Sequence, residues 1–324
     1  MTRTIWPVNG DRSFCAVFAV FFFAVGIFFF CCNSFSQSAS HRAAPAAATD
    51  LAHARTLLDT PRWREAEPIV KKYIARNPSS AAAHALEGLI LYRQHQPRVS
   101  MAEFVTASKL ADLTAFDLRI FALDCAAIPD LPEAEKWLLR SIDLDGRDAA
   151  TWEALGHVRF AQQKYVDAID ALNHALEIAP RTVSSESLIG LANERQAKPE
   201  EALAAYRAAI EWQAAVADPD PVPYLGAGRV LLNDDRAAEA IPLLSKAAAS
   251  AHATSEAHEL LGQAYAKTDR KPEAAKELEA AIRLDPQSAR LHLLAARIYR
   301  SMGDAARAAS EQARYTELKA SAAQ

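Results

Sequence analysis

Apolar residues recur with helical spacing from about residue 47 to residue 320, in pairs of amphipathic windows that short polar breaks separate. In one such pair, residues 151–162 form the first window, residues 165–178 form the second, and Pro180 ends the second window. Neither window can bury its apolar stripe alone, so a stable fold requires the pairs to stack on one another. The pattern therefore predicts an all-α chain of helical hairpins.

The predicted hairpins repeat with a period of 34 residues. When the chain is divided into units of that length, a small residue occupies the twentieth position of every unit, and the spacing is constant except for one gap of 38 residues. These small residues are Ala66, Ser100, Ala134, Ala168, Ala202, Ala240, Ala274 and Ala308. Five of the ten glycines in the chain occupy the eighth position, namely Gly88, Gly156, Gly190, Gly228 and Gly262. Glycine and alanine let two helices approach closely, so we expect these positions to form the contacts between helices.

The longer gap falls at residues 217–223, where the sequence reads Asp-Pro-Asp-Pro from residue 218 to residue 221. Proline removes a backbone donor and disfavours a helical conformation in the residue before it. The gap therefore predicts an extended loop between the fifth and sixth units.

Two units carry a recognisable motif. Residues 149–182 contain Trp152, Leu155, Gly156, Tyr165, Ala168, Leu172, Ala175 and Pro180, and residues 255–288 contain Leu261, Gly262, Tyr265, Ala274, Ala281 and Pro286. In these residues the chain resembles the tetratricopeptide repeat family. The resemblance covers about residues 47–320, and it implies an all-α solenoid of about eight repeats wound into a right-handed superhelix. The implied repeats are 47–80, 81–114, 115–148, 149–182, 183–220, 221–254, 255–288 and 289–320.

Three residues depart from the family pattern. Glu87 stands where an apolar seventh residue is expected, and Arg159 and Asn193 stand where the family usually has an aromatic eleventh residue. Either these helices are slightly rotated or Phe160 supplies the missing contact.

An apolar segment precedes the repeats. Residues 14–32 contain no charged residue, and as a helix they could cross the hydrocarbon core of a bilayer, which is about 30 Å thick. Arg3 and Arg12 lie before this run and favour a cytoplasmic location for the extreme N-terminus. Everything after the run is then exported. We therefore predict an extracytoplasmic protein that is periplasmic or secreted, or anchored to the inner membrane by this segment.

The fate of the apolar segment has two interpretations. Residues 38–40 offer a small-x-small cleavage site, while the length of the run suits a retained anchor. Residues 1–40 are accordingly predicted to be a signal peptide or an N-terminal membrane anchor, and residues 41–46 a linker rich in small residues.

Composition and charge exclude some classes of function. The net charge of −4 at neutral pH gives no electrostatic basis for binding nucleic acid. Cys125 is the only cysteine after the apolar segment, so no disulfide framework can form within one mature chain.

The sequence contains no catalytic or metal-binding motif. HExxH, CxxC and GxSxG patterns do not occur, and Gly226 and Gly228 lack the third glycine and the preceding strand of a dinucleotide-binding loop. His84, His258 and His292 share the fourth position of their units, where we expect them to pack rather than to bind a metal. We predict that the protein is not an enzyme and needs no cofactor.

The family resemblance implies that the first helix of each unit lines a concave groove and presents positions 2, 5, 9, 12 and 13 there. The candidate partner-binding residues at these positions are Arg55, Arg93, Arg119, Glu153, His157, Phe160, Glu194, Arg195, Arg229, Asn233, Glu259, Gln263, Lys267 and Arg297. The first three units contribute arginines and the later units mixed charges, which favours a polar or acidic peptide over an apolar helix.

These patterns predict a non-catalytic scaffold of the cell envelope that binds a protein or peptide in its groove. The alternative is a solenoid that binds a polysaccharide or lipid precursor in an envelope export system, for which Phe116 and Phe160 are the aromatic candidates. Contact with a membrane is expected only through the N-terminal segment, if it is uncleaved. The sequence leaves the oligomeric state and the identity of the partner open.

Overall fold

The computed structural model describes residues 44–60 and 62–321, with side chains from residue 50 onward. This part of the chain contains sixteen α-helices and no β-strand, which confirms the predicted all-α repeat solenoid. None of the described helices combines the length and the apolar composition needed to cross a membrane. The apolar run at residues 14–32 lies outside the described residues, so its assignment as a signal peptide or anchor stays a prediction.

The sixteen helices form eight consecutive hairpins in the described part of the chain, and a short 3₁₀ helix, Trp63–Glu65, precedes the second helix of the first hairpin. The helices are α1 (Ala44–Leu58), α2 (Ala66–Arg76), α3 (Ala81–Arg93), α4 (Pro97–Leu110), α5 (Ala115–Ala127), α6 (Leu131–Leu144), α7 (Ala149–Ala161), α8 (Tyr165–Ile178), α9 (Val183–Arg195), α10 (Pro199–Trp212), α11 (Pro221–Asn233), α12 (Ala237–Ala249), α13 (Ser255–Lys267), α14 (Lys271–Leu284), α15 (Ala289–Ser301) and α16 (Ala305–Ser321).

The segment at residues 41–46, predicted to be a linker, is partly helical, because α1 begins at Ala44. Alanine has the highest intrinsic helix propensity, and Pro45 lies in the first turn, where a helix needs no donor from it. Small side chains that bury little surface are therefore compatible with a helix as well as with a linker.

Small residues set the distance between the two helices of a hairpin. A Cβ atom added to Gly156 of α7 would lie 2.6 Å from Cγ of Leu172 in α8, so only glycine allows this approach. Ser100 stands where most units have alanine, and its buried hydroxyl donates a hydrogen bond of 2.7 Å to the carbonyl of Gly88. The serine thus satisfies its own polar group while it keeps the close contact.

Tyr206 of α10 is held between two glycines. A Cβ atom at Gly190 would lie 2.7 Å from the ring, and one at Gly226 would lie 2.3 Å from it. The ring is 1% exposed, and its hydroxyl donates a hydrogen bond of 3.2 Å to Glu194. The side chain therefore joins α9, α10 and α11 at the place where the repeat spacing is irregular.

The extended loop predicted at residues 217–223 lies a few residues earlier, because α10 ends at Trp212 and α11 begins at Pro221. Proline is compatible with the first turn of a helix, so Pro221 starts α11 rather than extending the loop. Gln213 closes the loop, since its side chain donates to the carbonyl of Asp220 at 3.0 Å and accepts from the Asp220 amide at 2.8 Å.

Two of the three departures from the family pattern, Glu87 and Arg159, make charged contacts with the preceding hairpin. Glu87 is buried, with one carboxylate oxygen 3.9 Å from Nζ of Lys71 in the preceding hairpin. Arg159 donates to Glu135 of the preceding hairpin at 3.0 Å. Phe160 packs edge-to-face on Tyr165, with 5.4 Å between ring centroids. Arg159 therefore replaces an aromatic contact by an ion pair between units.

The histidines at the fourth position are more than packing residues. Nδ1 of His84 lies 2.6 Å from a carboxylate oxygen of Glu103, and Nε2 lies 3.0 Å from the carbonyl of Pro78. His292 makes the equivalent contacts with Glu311 at 2.5 Å and Pro286 at 3.2 Å. These side chains therefore link the two helices of a hairpin and tie them to the end of the preceding unit.

Candidate functional site

The first helices of the hairpins lie next to one another along the solenoid. Neighbouring first helices contact each other from α3 through α13, whereas the second helices from α4 to α14 each contact the two first helices that flank them and make only marginal contact with other second helices. The side of the stack formed by the odd-numbered helices, here called the inner face, is therefore the more closely packed side. The candidate partner-binding residues all lie on these helices.

Several candidate residues are engaged by neighbouring units. Arg119 of α5 lies 3.1 Å from Asp148, the residue that caps the start of α7. Glu153 of α7 accepts hydrogen bonds from the hydroxyls of Ser184 and Ser185 in α9, at 2.5 and 3.2 Å. These side chains stabilise the stacking of one unit on the next, so they are less available to a partner than their positions suggest.

Arg229 is the centre of a charged cluster in the middle of the chain. Its guanidinium donates to Glu194 of α9 at 2.7 and 3.1 Å and to Glu256 of α13 at 2.8 Å, so it bridges three units. Burial opposes the charged form, but the bonds and charge of Glu194 together raise the pKa of Arg229 above its ordinary value. The cluster is held in place before any ligand arrives.

Charges near the C-terminal end of the inner face are also paired. A carboxylate oxygen of Glu259 lies 2.7 Å from a guanidinium nitrogen of Arg290 and accepts a hydrogen bond of 2.7 Å from the side-chain amide of Gln263. Lys267 donates to Asp235 at 2.6 Å. Burial raises the pKa of Glu259. The later units therefore present a network of paired charges rather than separate binding groups.

The three arginines that were predicted to make the first units cationic differ in their surroundings. Arg119 is neutralised by Asp148. Arg93 is half-buried, and burial lowers its pKa, although the charge of Asp59 opposes that shift. Arg55 is the exposed arginine of this group, and its guanidinium carbon lies 5.4 Å from the centre of the Phe116 ring.

The remaining candidates divide into buried and exposed groups. Burial lowers the pKa of His157 to about 3, so this imidazole is neutral at physiological pH. Phe160 is half-buried beside Leu172 and Leu188. The candidates exposed to solvent and without an ion pair to another described residue are Arg195, Asn233 and Arg297, with Arg55 the fourth.

Two clefts open on the inner face. The polar cleft, with a volume of about 390 Å³, lies between α11, α13 and the start of α15. Its charged lining residues are Arg229, Glu256, Glu259, Asp285 and Arg290, and Asn233 and Gln263 add amides. Most of these groups are the paired residues described above, so the cleft has polar walls of fixed geometry.

The apolar cleft, with a volume of about 400 Å³, lies between α1, α3 and the turn before α5. Five alanines and three leucines (Leu51, Leu86 and Leu113) line it, together with the charged residues Arg55, Asp112 and Asp117. The sequence prediction missed this cleft, because only the large or polar residues at groove positions were considered. Its signal was the pair of small residues Ala82 and Ala85, at positions where the next unit has Phe116 and Arg119.

The described residues include no group of histidine, cysteine, aspartate and glutamate side chains that could hold a metal ion. The described part of the surface offers clefts and charged side chains for non-covalent binding.

The tetratricopeptide repeat model matches the sequence at residues 51–102, 225–289 and 260–323. These matches coincide with hairpins at both ends of the described array. The chain is a tetratricopeptide repeat protein. No curated protein sequence matches it significantly.

Solved structures share the fold of this tetratricopeptide repeat protein. A tetratricopeptide repeat protein from Parabacteroides merdae is 14% identical with a TM-score of 0.57, and the match covers 78% of this chain and 98% of that one. The C-terminal part of a repeat protein from Cytophaga hutchinsonii is 14% identical with a TM-score of 0.57, over 74% of this chain and 97% of that one. A chain of the APC/C hetero-tetramer Cut9–Hcn1 is 16% identical with a TM-score of 0.55, and the match covers 86% of this chain and 54% of that one.

Proposed function

We propose that this tetratricopeptide repeat protein is a non-catalytic scaffold of the cell envelope that binds a protein segment along its inner face. The observation that carries the proposal is the presence of two open clefts, of about 400 and 390 Å³, on that one face. Clefts of this size accept side chains of a bound segment, and the rigid charged groups between them can orient its backbone. Repeat solenoids generally use such a surface to bind proteins and peptides.

The envelope location rests on the sequence before the repeats. The uncharged run at residues 14–32, with Arg3 and Arg12 before it, favours export of the repeats. A reporter enzyme that is active only outside the cytoplasm, fused after Gln324, is expected to be active. If only a matched reporter that works in the cytoplasm is active, the repeats face the cytoplasm and the predicted orientation is wrong.

The binding surface can be tested by photo-crosslinking in cells. A photoreactive amino acid is placed singly at exposed inner-face positions, Arg195, Asn233 and Arg297, and at exposed positions of second helices, Asn173 and Arg207. We expect protease-sensitive adducts of defined mass from the inner-face positions and at least fivefold fewer from the second helices. The five side chains are all exposed, so solvent access alone cannot produce this difference.

Two outcomes would contradict the proposal. Adducts obtained only from Asn173 and Arg207 would place the binding surface on the outer side of the solenoid. Inner-face adducts that resist protease but are removed by glycosidase or lipid extraction would show that the partner is a polysaccharide or a lipid precursor and not a protein.

A further inference from the structure

The apolar cleft, of about 400 Å³, has room for a large apolar side chain. Its walls are formed by alanines of α1 and α3, including Ala52 and Ala82, and Leu51, Leu86 and Leu113 complete its apolar lining. Ala82 is exposed on α3, so the cleft opens to solvent from the inner face. Alanine side chains offer apolar surface but little volume, and a bulky apolar group that enters from outside would bury that surface against the leucines.

The charged residues at the mouth of the cleft differ in whether they are free to pair with a ligand. Asp117 is committed to the start of α5, because its carboxylate accepts hydrogen bonds from the amide of Thr114 at 3.2 Å and from its hydroxyl at 2.7 Å. Asp112 is exposed in the turn before α5. Arg55 is exposed on α1 and forms no ion pair with another described residue. It is the cationic group at the mouth that can accept a new carboxylate partner.

Phe116 places the positive charge beside the cleft. The guanidinium carbons of Arg55 and Arg119 lie 5.4 and 5.1 Å from the centre of this one ring, and Arg119 also lies 3.1 Å from Asp148. The ring stabilises the Arg55 guanidinium without consuming its hydrogen-bond donors. Asp112, which also lines the cleft, repels an incoming carboxylate and so favours its approach to Arg55.

We propose that the apolar cleft binds a partner segment in which a bulky apolar residue stands beside an acidic residue, the apolar side chain in the cleft and the carboxylate on Arg55. This proposal rests on the proposed function, and it names the chemistry of the partner segment that the N-terminal end of the inner face recognises. Burial of one large apolar side chain is worth on the order of ten- to a hundredfold in Kd, and the charged pair at the exposed rim adds a smaller factor and sets the orientation.

The test selects ligands from random dodecapeptides displayed on phage, with the purified full-length protein as bait. Recovered peptides are expected to share a leucine, isoleucine or phenylalanine within two residues of aspartate or glutamate. Synthetic copies are then titrated against wild type and four variants by fluorescence anisotropy. Ala82→Trp fills the cleft and Arg55→Glu reverses its rim charge, while Ala102→Trp and Arg98→Glu make the same changes at exposed positions of α4.

Ala82→Trp is expected to weaken binding at least tenfold, and Arg55→Glu about three- to tenfold. A peptide whose acidic residue is replaced by lysine should prefer Arg55→Glu over wild type, which a general loss of structure would not produce. Both α4 variants should bind as wild type does. Circular dichroism of each variant verifies folding.

Three results would overturn this inference: no enriched peptides, enriched peptides without the apolar and acidic pair, or affinities that Ala82→Trp does not change. The proposed function is judged separately, because inner-face crosslinks at Arg195, Asn233 and Arg297 do not depend on the apolar cleft. Crosslinks at those positions together with unchanged binding by Ala82→Trp would leave the scaffold function standing and place recognition elsewhere on the inner face.

Discussion

Gly226→Ala is expected to lower the free energy of unfolding by about 2 kcal/mol, although alanine favours a helix by about 1 kcal/mol over glycine. The added Cβ atom would lie 2.3 Å from Cζ of Tyr206. The ring has little room to move, because Tyr206 is 1% exposed, Gly190 also packs against the ring and the hydroxyl donates to Glu194. The clash therefore separates α11 from α10. Urea unfolding followed by circular dichroism measures the change.

Gly262→Ala is the matched control for this prediction. Its Cβ atom would lie 3.1 Å from Cγ of Leu278 and 3.3 Å from the carbonyl oxygen of Ala274, so the neighbours need to shift by only a few tenths of an ångström. We expect this variant to be within about 1 kcal/mol of wild type and to gain from helix propensity. Equal losses in the two variants would show that the tyrosine between two glycines is not the cause.

Asp124→Asn is expected to stabilise the protein at alkaline pH by about 2–4 kcal/mol. Asp124 of α5 is 1% exposed, and one of its carboxylate oxygens is buried without a hydrogen-bond partner among the described residues. Burial raises the pKa of this carboxyl group from 3.8 to about 7, against a smaller opposing effect of Ser100. Above pH 7 the folded protein must therefore hold a poorly solvated charge, which asparagine does not carry.

The sign of the pH dependence follows from the raised pKa. The folded state retains the proton more strongly than the unfolded chain, so the favourable contribution is complete below pH 3.8 and is lost as the pH rises toward about 7. Urea unfolding of both proteins at pH 5 and pH 8.5 should show a larger advantage for Asp124→Asn at pH 8.5. Asp143→Asn, at an exposed position of α6, should leave the pH dependence of wild type unchanged. If the stability advantage of Asp124→Asn over wild type does not grow with pH, the raised pKa of Asp124 is not its cause.

The sequence predicted those features that depend on a residue's own size and on spacing along the chain. Glycine at position 8 and a small residue at position 20 predicted close helix contacts, and Gly156 against Leu172 is such a contact. The start of α11 was placed late, because Pro221 was treated as a helix breaker when it occupies the first turn. In that position the missing donor of proline costs nothing.

The candidate site was less predictable, because it depends on contacts between units. Arg119 has the position of a groove residue, but its charge is neutralised by Asp148, twenty-nine residues later in the chain. Arg229 likewise forms a cluster with Glu194 and Glu256. A reading of single positions identifies the residues on the inner face but not which of them are already paired.

The unequal contacts of the two helix layers have a mechanical consequence. First helices contact one another along the inner face, while second helices contact only flanking first helices to any extent. Each junction between units therefore resembles a hinge whose axis runs near the inner face, and small rotations there add up along the array. Pulling the two ends of the repeat array apart is therefore expected to rotate the units about these junctions before any hairpin unfolds. The Arg229 cluster, which spans three units, adds ion pairs across two of these junctions and so opposes the rotation there.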